Sequence, residues 1–317
     1  MQTPRLMLLV SCFCAVLPAC GDVTSVPLTT DAMPLEDRWP ALDVPKVTYF
    51  AVAGATDGSE VYIVGEQGTI LRGDAAGLKQ ESSGTTVALR GVAVAGVGEA
   101  FAVGDAGTIL HRSAVGWVPE ADGLATEVLT SVWVDSAQVA AVGETGTFLV
   151  RQDDVWKRIA NDYLEDLLAV SGGESIAAVG ALGILLTLSG DTLQRQAIPQ
   201  FNKPLAGATT GPAGRWFVGL DGAVFQGQPG SLRALDGLPP VFLRSVTAPG
   251  PDVWVVGWDG VIVRFISGTP NRVAPYDDRW MNGVYASSSS DVWIVGCSGL
   301  VLHGPPTRLL PDAGGDR

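Results

Sequence analysis

The chain has few of the side chains that enzymes most often use for acid–base or metal chemistry. Its 317 residues include only two histidines, His111 and His303, at the same place in an internal repeat. Other copies carry arginine, valine, threonine or glutamine there, which indicates a strand surface position. No phosphate loop, His-Glu-x-x-His motif, calcium loop or Ser/His/Asp arrangement occurs. The sequence therefore predicts no catalytic residue, no metal site and no cofactor.

Basic residues are also scarce. Lysine and arginine total 20 against 33 aspartates and glutamates, so the formal net charge is −13. The basic residues form no cluster. Nucleic acids and anionic lipid surfaces bind clustered positive charge, so neither is expected as a partner. A face that selects cationic or neutral ligands is easier to reconcile with this balance.

The longest apolar run is too short to cross a membrane. It covers Leu6–Pro18 after a single basic residue, Arg5, and is shorter than the roughly 18 residues that a span needs. A short basic start, an apolar stretch and a small residue before Cys20 are typical of a secretory signal. The string Leu17-Pro18-Ala19-Cys20 resembles a bacterial lipobox. That resemblance implies lipidation of Cys20; the alternative is an ordinary cleaved signal in which Cys20 is incidental.

Cysteine is nearly absent from the rest of the chain. Three of the four cysteines, Cys12, Cys14 and Cys20, lie in the first twenty residues, and the fourth is Cys297. Cleavage and lipidation would leave Cys297 alone, so we predict no intramolecular disulfide in the mature protein. Cys297 is then an ordinary turn residue.

The chain is rich in a five-residue unit, Val-Gly-x-x-Gly, which occurs seven times. The first glycines are separated by 39, 39, 37, 39, 38 and 39 residues, and they are Gly65, Gly104, Gly143, Gly180, Gly219, Gly257 and Gly296. A period near 40 built from short strands is typical of a β-propeller with one blade per repeat. We therefore predict an all-β protein, a seven-bladed β-propeller with four-stranded antiparallel blades.

The residues around each unit predict the strands of one blade. Apolar runs rich in β-branched and aromatic residues precede and follow the two glycines, as in Glu60–Gly65 and Gly68–Arg72, and are interpreted as strands B and C. The second glycine suits a residue of positive φ in the B–C turn. An earlier stretch that includes a small residue, such as Arg90-Gly91-Val92, is strand A, which lines the channel.

The last blade is one strand short, and we predict that the N-terminal side of the chain completes it. The segment Asp37–Val44 resembles the tryptophan-bearing strand D segments at Gly116–Glu120 and Val155–Ile159. Pairing of Arg38–Val44 with Gly299–Gly304 would close the ring and remove an exposed edge. The competing interpretation gives that place to Thr307–Leu310.

The repeat resembles a known group of sequences. The string Val-Gly-x-x-Gly-Thr-Ile-Leu-x-Arg, nearly intact at Val64–Arg72 and Val103–Arg112, resembles the repeats of the photosystem II stability and assembly factor family. It resembles equally the bacterial secreted propellers with YVTN or neuraminidase-like repeats. The photosystem repeat continues with Asp-Gly-Gly-x-Thr-Trp, which this chain lacks in every blade. The resemblance therefore implies the fold and transfers no binding residue.

The B–C turns differ most between blades, and we predict the binding site there. Loops vary while strands hold the frame, and tryptophan is enriched at interfaces. Trp258 is the expected apolar centre of the site, with Asp259, Asp221 and Glu66 as its polar rim. The strand D tryptophans Trp117 and Trp156 are the next candidates.

These patterns predict four regions and one main function. The regions are a signal peptide over residues 1–19, a lipidated flexible tether over 20–36, the propeller over 37–310 and a disordered tail over 311–317. The main hypothesis is a monomeric, non-catalytic binding or scaffolding propeller. It would be held at the periplasmic or surface face of the bacterial envelope by its lipid alone, and would bind an envelope protein or carbohydrate. Alternatives are a carbohydrate-active enzyme that uses Arg90 and Arg244 in the channel, or a structural subunit of an envelope complex.

Overall fold

Seven antiparallel sheets form a closed ring around a central channel. The computed structural model describes residue 39 and residues 41–238, 240–273 and 278–304. Within these ranges six sheets have four strands and one has three, and consecutive strands of the chain are neighbours in every sheet. The first strand of each sheet contacts the first strand of the next sheet, and the first strand of the last sheet contacts that of the first sheet. The predicted seven-bladed propeller is confirmed.

Blades 1 to 6 each contain strands A, B, C and D from the inside outwards, and blade 7 contains A, B and C. Blade 1 is β1–β4, Tyr49–Gly54, Val61–Gly65, Ile70–Asp74 and Gly77–Glu81. Blade 2 is β5–β8, Leu89–Gly96, Glu99–Gly104, Ile109–Ser113 and Gly116–Pro119. Blade 3 is β9–β12, Leu129–Val134, Gln138–Gly143, Phe148–Gln152 and Val155–Arg158. Blade 4 is β13–β16, Leu167–Ser171, Ala177–Gly180, Leu185–Ser189 and Thr192–Arg195.

Blade 5 is β17–β20, Leu205–Gly211, Gly214–Gly219, Val224–Gln226 and Arg233–Ala234. Blade 6 is β21–β24, Leu243–Thr247, Val253–Gly257, Ile262–Ile266 and Thr269–Val273. Blade 7 is β25–β27, Met281–Ser288, Asp291–Gly296 and Val301–His303. Four B–C turns form one turn of 3-10 helix, namely Glu66–Gly68, Asp105–Gly107, Ala181–Gly183 and Leu220–Gly222.

Strand B is the centre of the core in every blade. Each of its residues in Val61–Gly65 is buried, because a blade packs between two neighbours and both of its faces are covered. The outer strand Gly77–Glu81 is mostly exposed or half-buried, and it carries lysine, glutamine and glutamate. This increase in solvent exposure from strand B to strand D explains why the B runs are apolar without alternation and the D segments are polar.

At one position of strand A, every blade has a residue with a small side chain or none. Each of these residues pairs with the valine of Val-Gly-x-x-Gly, and they are Ala51, Gly91, Ser131, Ala169, Gly207, Ser245 and Gly283. A Cβ on Gly91 would lie 3.0 Å from the Cα of Ser131 in the next blade. The small residues predicted for strand A thus reflect the close approach of neighbouring inner strands.

Both glycines of the repeat are needed for close backbone contact. A Cβ on Gly104 would lie 2.1 Å from the carbonyl oxygen of Ala88, and one on Gly107 would lie 2.1 Å from that of Ala125. The first oxygen belongs to the loop into the same blade and the second to the loop into the next blade. Gly107 has the predicted positive φ of 68°, but Ala106 is also left-handed at 56°, which the sequence interpretation missed.

The N-terminal side of the chain reaches the outer edge of the last blade. Ala41 forms an antiparallel bridge with Leu302, and the amide of Leu42 donates to the carbonyl oxygen of Val301 at 2.9 Å. This is the predicted place, although the contact is one bridge and not a long strand. The competing segment Thr307–Leu310 lies outside the described residues.

The predicted signal, lipidation at Cys20, the tether and the tail also lie outside the described residues. Within the part of the chain that is described, no helix has the length and apolar character needed to cross a bilayer.

Candidate partner-binding face

The B–C turns and the loops that lead into each strand A lie at the same end of the ring. Tyr49, at the start of strand A, pairs with Gly65 at the end of strand B, and the same pairing recurs between Leu205 and Gly219. We call this end the B–C face. The first turn residue is acidic in blades 1 to 3 and apolar or uncharged afterwards: Glu66, Asp105, Glu144, Ala181, Leu220, Trp258 and Cys297.

Two of the predicted polar rim residues make local contacts. Glu66 accepts the backbone amide of Thr48 through Oε2 at 2.9 Å, which fixes the entry to strand A of blade 1. Asp221 is held by the ammonium group of Lys203. Asp259, in contrast, is exposed, and no described residue offers it a hydrogen bond or an ion pair. Of the three carboxylates, Asp259 is therefore the one available to a ligand.

Trp258 belongs to an aromatic stack. Its ring is parallel to that of Trp280, with centroids 4.3 Å apart and planes 10° apart. Phe242 meets it edge-on at 5.0 Å. Trp258 is half-buried, because the two rings cover part of its surface. The stack joins the B–C turn of blade 6 to the loops that enter blades 6 and 7.

The sequence interpretation missed Trp280 and Phe242. Each directly precedes a strand A, and the residues at this repeat position are Thr48, Ala88, Val128, Asp166, Pro204, Phe242 and Trp280. Aromatic side chains thus occur there only in blades 6 and 7, on either side of Trp258. Alignment of the loops, in addition to the turns, would have found the stack.

The central channel has a volume of about 330 Å³ and is lined by strand A residues. Its charged lining residues are Arg90 and Arg244, and none of its lining residues is a carboxylate. Arg90 is paired with Asp105 at 2.7 Å and lies 4.6 Å from the ring centre of Phe50. Arg244 lies over the ring of Phe242 at 5.3 Å. Glycoside hydrolysis uses two carboxylates, and the described lining does not supply them.

The polar groups of the channel wall mostly join neighbouring blades. Thr130 Oγ1 donates to the carbonyl oxygen of Leu167 at 2.6 Å. The amide of Val284 donates to Ser245 Oγ at 3.2 Å. Asn282 Nδ2 donates to the carbonyl oxygen of Tyr49 at 3.0 Å, across the point of ring closure. These contacts stabilise the ring and leave fewer groups for a ligand.

The two histidines are structural contacts of strand C. His111 stacks on Phe101 at 4.3 Å and meets Glu120 at 2.8 Å, and His303 stacks on Trp293 at 4.0 Å. Among the described residues no group of histidine, cysteine, aspartate or glutamate could hold a metal. Both histidines lie on a strand, as predicted, but at a half-buried position and not at the surface.

The strand D tryptophans are part of the packing between blades. Trp117 Nε1 donates to Glu81 Oε2 at 2.9 Å, and Trp156 Nε1 donates to Glu120 Oε2 at 2.8 Å. In each case the glutamate belongs to the preceding blade. Their indole groups are thus already bound, which makes them weaker binding candidates than Trp258.

The opposite end of the ring contains a buried arginine. Arg215 is 1% exposed and joins blades 4 and 5 by donating from Nη2 to the carbonyl oxygen of Gly172 at 2.9 Å. Burial lowers the pKa of its guanidinium. At ring closure the hydroxyl of Tyr285 donates to the carbonyl oxygen of Ala55, and burial raises the pKa of this phenol. These groups stabilise blade contacts.

Cys297, in the B–C turn of blade 7, is only 4% exposed and is disulfide-bonded. The other three cysteines precede residue 39, outside the described residues. The prediction of a lone cysteine concerned the mature protein, in which Cys12 and Cys14 are cleaved away and Cys20 is lipidated, and it stays a prediction.

Comparison with known proteins supports the architecture. No family model matches the chain, and no curated protein is similar enough in sequence to count as a relative. In fold it is similar to YCF48 bound to a D1 peptide, with a TM-score of 0.69 and 15% identity, covering 84% of this chain and 97% of that chain. For YCF48 from Cyanidioschyzon merolae the TM-score is 0.68 at 15% identity, over 86% and 100%.

The WD40 β-propeller domain of Doa1 is similarly related, with a TM-score of 0.69 and 14% identity, covering 84% of this chain and 95% of that chain. The predicted resemblance to photosystem II assembly-factor repeats is confirmed as structural similarity to such a factor, YCF48. At these identities the likeness establishes that the chain has the fold of a seven-bladed β-propeller.

Proposed function

We propose that this protein is a non-catalytic binding or scaffolding propeller that holds a protein partner on its B–C face. The observation that carries the proposal is the stack of Trp258 on Trp280, with Phe242 against its edge. Both tryptophans remain half-buried and not fully covered. Stacked, partly exposed tryptophans supply rigid apolar area, and tryptophan is enriched among residues that dominate binding energy.

The proposal includes attachment to a bacterial envelope through a lipid on Cys20. Its support is the sequence Leu17-Pro18-Ala19-Cys20 after a short apolar run. Replacement of Cys20 by Ser should move the protein from the membrane to the soluble fraction and abolish palmitate labelling. Unchanged labelling of the Cys20→Ser protein would contradict the lipid attachment, but not the binding face.

Crosslinking and pull-down from envelopes, followed by affinity measurement with the purified partner, tests the binding face. Loss of one buried tryptophan costs about 2 kcal/mol or more, so Trp258→Ala should weaken binding at least about tenfold. Val155→Ala is the matched control, since Val155 is 66% exposed on strand D, away from the face. Full affinity in a Trp258→Ala protein with unchanged melting temperature would place the partner elsewhere.

A carbohydrate-active enzyme is the second candidate, favoured by Arg90 and Arg244 in the channel wall. Two arginines could bind an acidic sugar. The described lining lacks carboxylates for acid–base work, which weighs against hydrolysis. A screen of glycosides and uronides tests it: saturable turnover that disappears in Arg90→Ala, Arg244→Ala would replace the binding proposal.

A further inference from the structure

The B–C turn of blade 4 contains a leucine where the backbone favours other residues. Leu182 has φ 54° and ψ 24°, the left-handed region that glycine and asparagine tolerate best. It is also 55% exposed. The equivalent residues of the other blades are smaller or polar: Gln67, Ala106, Thr145, Asp221, Asp259 and Ser298. Leu182 thus costs stability through its backbone and leaves apolar surface in water.

A second exposed leucine lies in the loop that enters the same blade. Leu164 is 77% exposed. Two residues later, the carbonyl oxygen of Asp166 accepts the amide of Ala181 at 2.8 Å, which joins this loop to the turn that carries Leu182. The other large, well-exposed apolar residues in the described part of the chain are valines: Val97, Val115, Val118 and Val155. Both exposed leucines are therefore on the B–C face.

Carboxylates without partners accompany these apolar groups. Asp162 lies beside Leu164 in the chain, and Asp259 and Asp278 lie beside the tryptophan stack; all three are exposed and have no hydrogen bond or ion pair with a described residue. Beside the leucines, Arg195 pairs with Glu165, and on the next blade Lys203 pairs with Asp221. Beside the tryptophan stack, Arg279 donates to the carbonyl oxygen of Ser298 at 3.4 Å. Carboxylates without a described partner therefore lie beside both apolar groups.

We infer that the partner on the B–C face is a basic amphipathic protein segment that extends from blade 6 to blade 4. The inference rests on the proposed function and specifies its ligand. Apolar side chains of the segment contact Leu182 and Leu164. A lysine or arginine contacts the Trp258–Trp280 stack and Asp259, where ring faces and a carboxylate both attract a cation. The charge of −13 favours such a partner over an acidic one.

Three synthetic fluorescein-labelled peptides test this chemistry: one that alternates leucine with lysine, one with glutamate in place of lysine, and one with serine in place of leucine. Fluorescence anisotropy is measured with the full chain carrying Cys20→Ser, so that neither lipid nor detergent is needed. The leucine–lysine peptide should bind saturably and weaken with added salt, and the other two should bind at least about tenfold more weakly. No saturable binding, or equal binding of all three, overturns the inference.

The decisive variant is Leu182→Asn, because the two effects of this substitution have opposite signs. Asparagine suits the left-handed backbone, so the melting temperature should not fall, while peptide affinity should fall about tenfold as the leucine contact is lost. Ala106→Asn is the matched control: the same backbone geometry in blade 2, with no loss of affinity expected. Equal affinities for wild type and Leu182→Asn would overturn the inference.

Three further outcomes distinguish this inference from the alternatives. If a partner from the pull-down loses affinity for Trp258→Ala but not for Leu182→Asn or Leu164→Ser, the proposed function stands and the extension to blade 4 is wrong. If none of the three variants changes the affinity for that partner, both the proposed binding face and its extension to blade 4 are wrong. If Leu182→Asn instead releases the Cys20→Ser protein from phosphatidylcholine vesicles, the leucines contact a membrane and the protein-segment proposal falls.

Discussion

Trp39 meets Trp254 edge-on, with ring centroids 6.2 Å apart and ring planes at 84°. Trp39 is 1% exposed and packs in a cluster with the strands of blades 6 and 7. Trp117 meets Tyr62 and Trp156 meets Phe101 with the same geometry, in each case a strand D tryptophan against strand B of the preceding blade. Trp39 therefore occupies the strand D place of blade 7.

This relationship predicts that the ring depends on its N-terminal side for closure. Trp39→Ala should lower the free energy of unfolding by about 3–5 kcal/mol, as for other buried tryptophans. Chemical denaturation measures the change, and Val115→Ala is the control because Val115 is 82% exposed. Equal losses of unfolding free energy in Trp39→Ala and Val115→Ala would contradict the role of Trp39 in closing the ring.

The contacts between blades 1 and 2 depend on one carboxylate. Glu81 accepts Arg112 Nε at 3.0 Å and Trp117 Nε1 at 2.9 Å. Burial opposes ionisation of Glu81, but the hydrogen bonds from Arg112 and Trp117 outweigh it and lower the pKa of the carboxyl. Glu81→Gln would leave Arg112 partly buried without its counter-charge.

We expect Glu81→Gln to destabilise the protein by about 1–3 kcal/mol, measured by chemical denaturation. Glu99→Gln is the control, since the Glu99 side chain is 54% exposed and lies 3.5 Å from the ring of His111. A double-mutant cycle with Arg112→Met isolates the pair. A coupling energy near zero would contradict this role.

Much of the fold could be predicted from the sequence because its signals are local. Gly104 and Gly107 are required by backbone contacts within a few ångströms, so the glycine spacing records the blade period directly. Side-chain partners between blades leave a weaker signal, since Glu81 and Arg112 are 31 residues apart. Their repetition at Glu120 and Arg151, each 39 residues later, was nevertheless present in the sequence.

The candidate site was predicted less well. The sequence placed Trp258 in a B–C turn, where the structure also has it, but it could not show that Trp280 stacks on it, because that contact depends on where two loops converge. It also predicted that Glu66 belongs to the polar rim of the site, whereas the carboxylate of Glu66 accepts the amide of Thr48. Nor did it find Leu182, since its left-handed backbone is visible only in the structure.

The second glycine of the repeat provides a test of backbone approach. Gly107 and Gly116 both have positive φ, 68° and 98°, but a Cβ on Gly107 would lie 2.1 Å from the carbonyl oxygen of Ala125, whereas Gly116 has open space. Alanine costs about 1 kcal/mol at either site through backbone strain. The clash should make Gly107→Ala about 2 kcal/mol worse than Gly116→Ala in chemical denaturation. Equal costs would show that φ alone selects the glycine.

Glu127 gives the protein a specific pH dependence of stability. Its carboxylate accepts Arg158 Nη2 at 2.7 Å, and this hydrogen bond lowers the pKa of Glu127 from 4.5 to about 2, against the opposing effect of burial. A lowered pKa in the folded state stabilises the protein above the unfolded value of 4.5, and this contribution is lost as the pH falls towards 2.

Thermal unfolding from pH 6 to pH 2 should therefore show a smaller loss of stability for Glu127→Gln than for the wild type. At neutral pH the variant should be less stable by about 1 kcal/mol, because the pair is partly exposed and screened by solvent. The difference should shrink to nothing near pH 2, where the wild-type carboxyl gains its proton. Asp122→Asn is the control, since Asp122 is exposed and has no ion pair with a described residue. A difference between Glu127→Gln and wild type that is the same at pH 6 and pH 2 would mean that packing, and not the charge of Glu127, stabilises this loop.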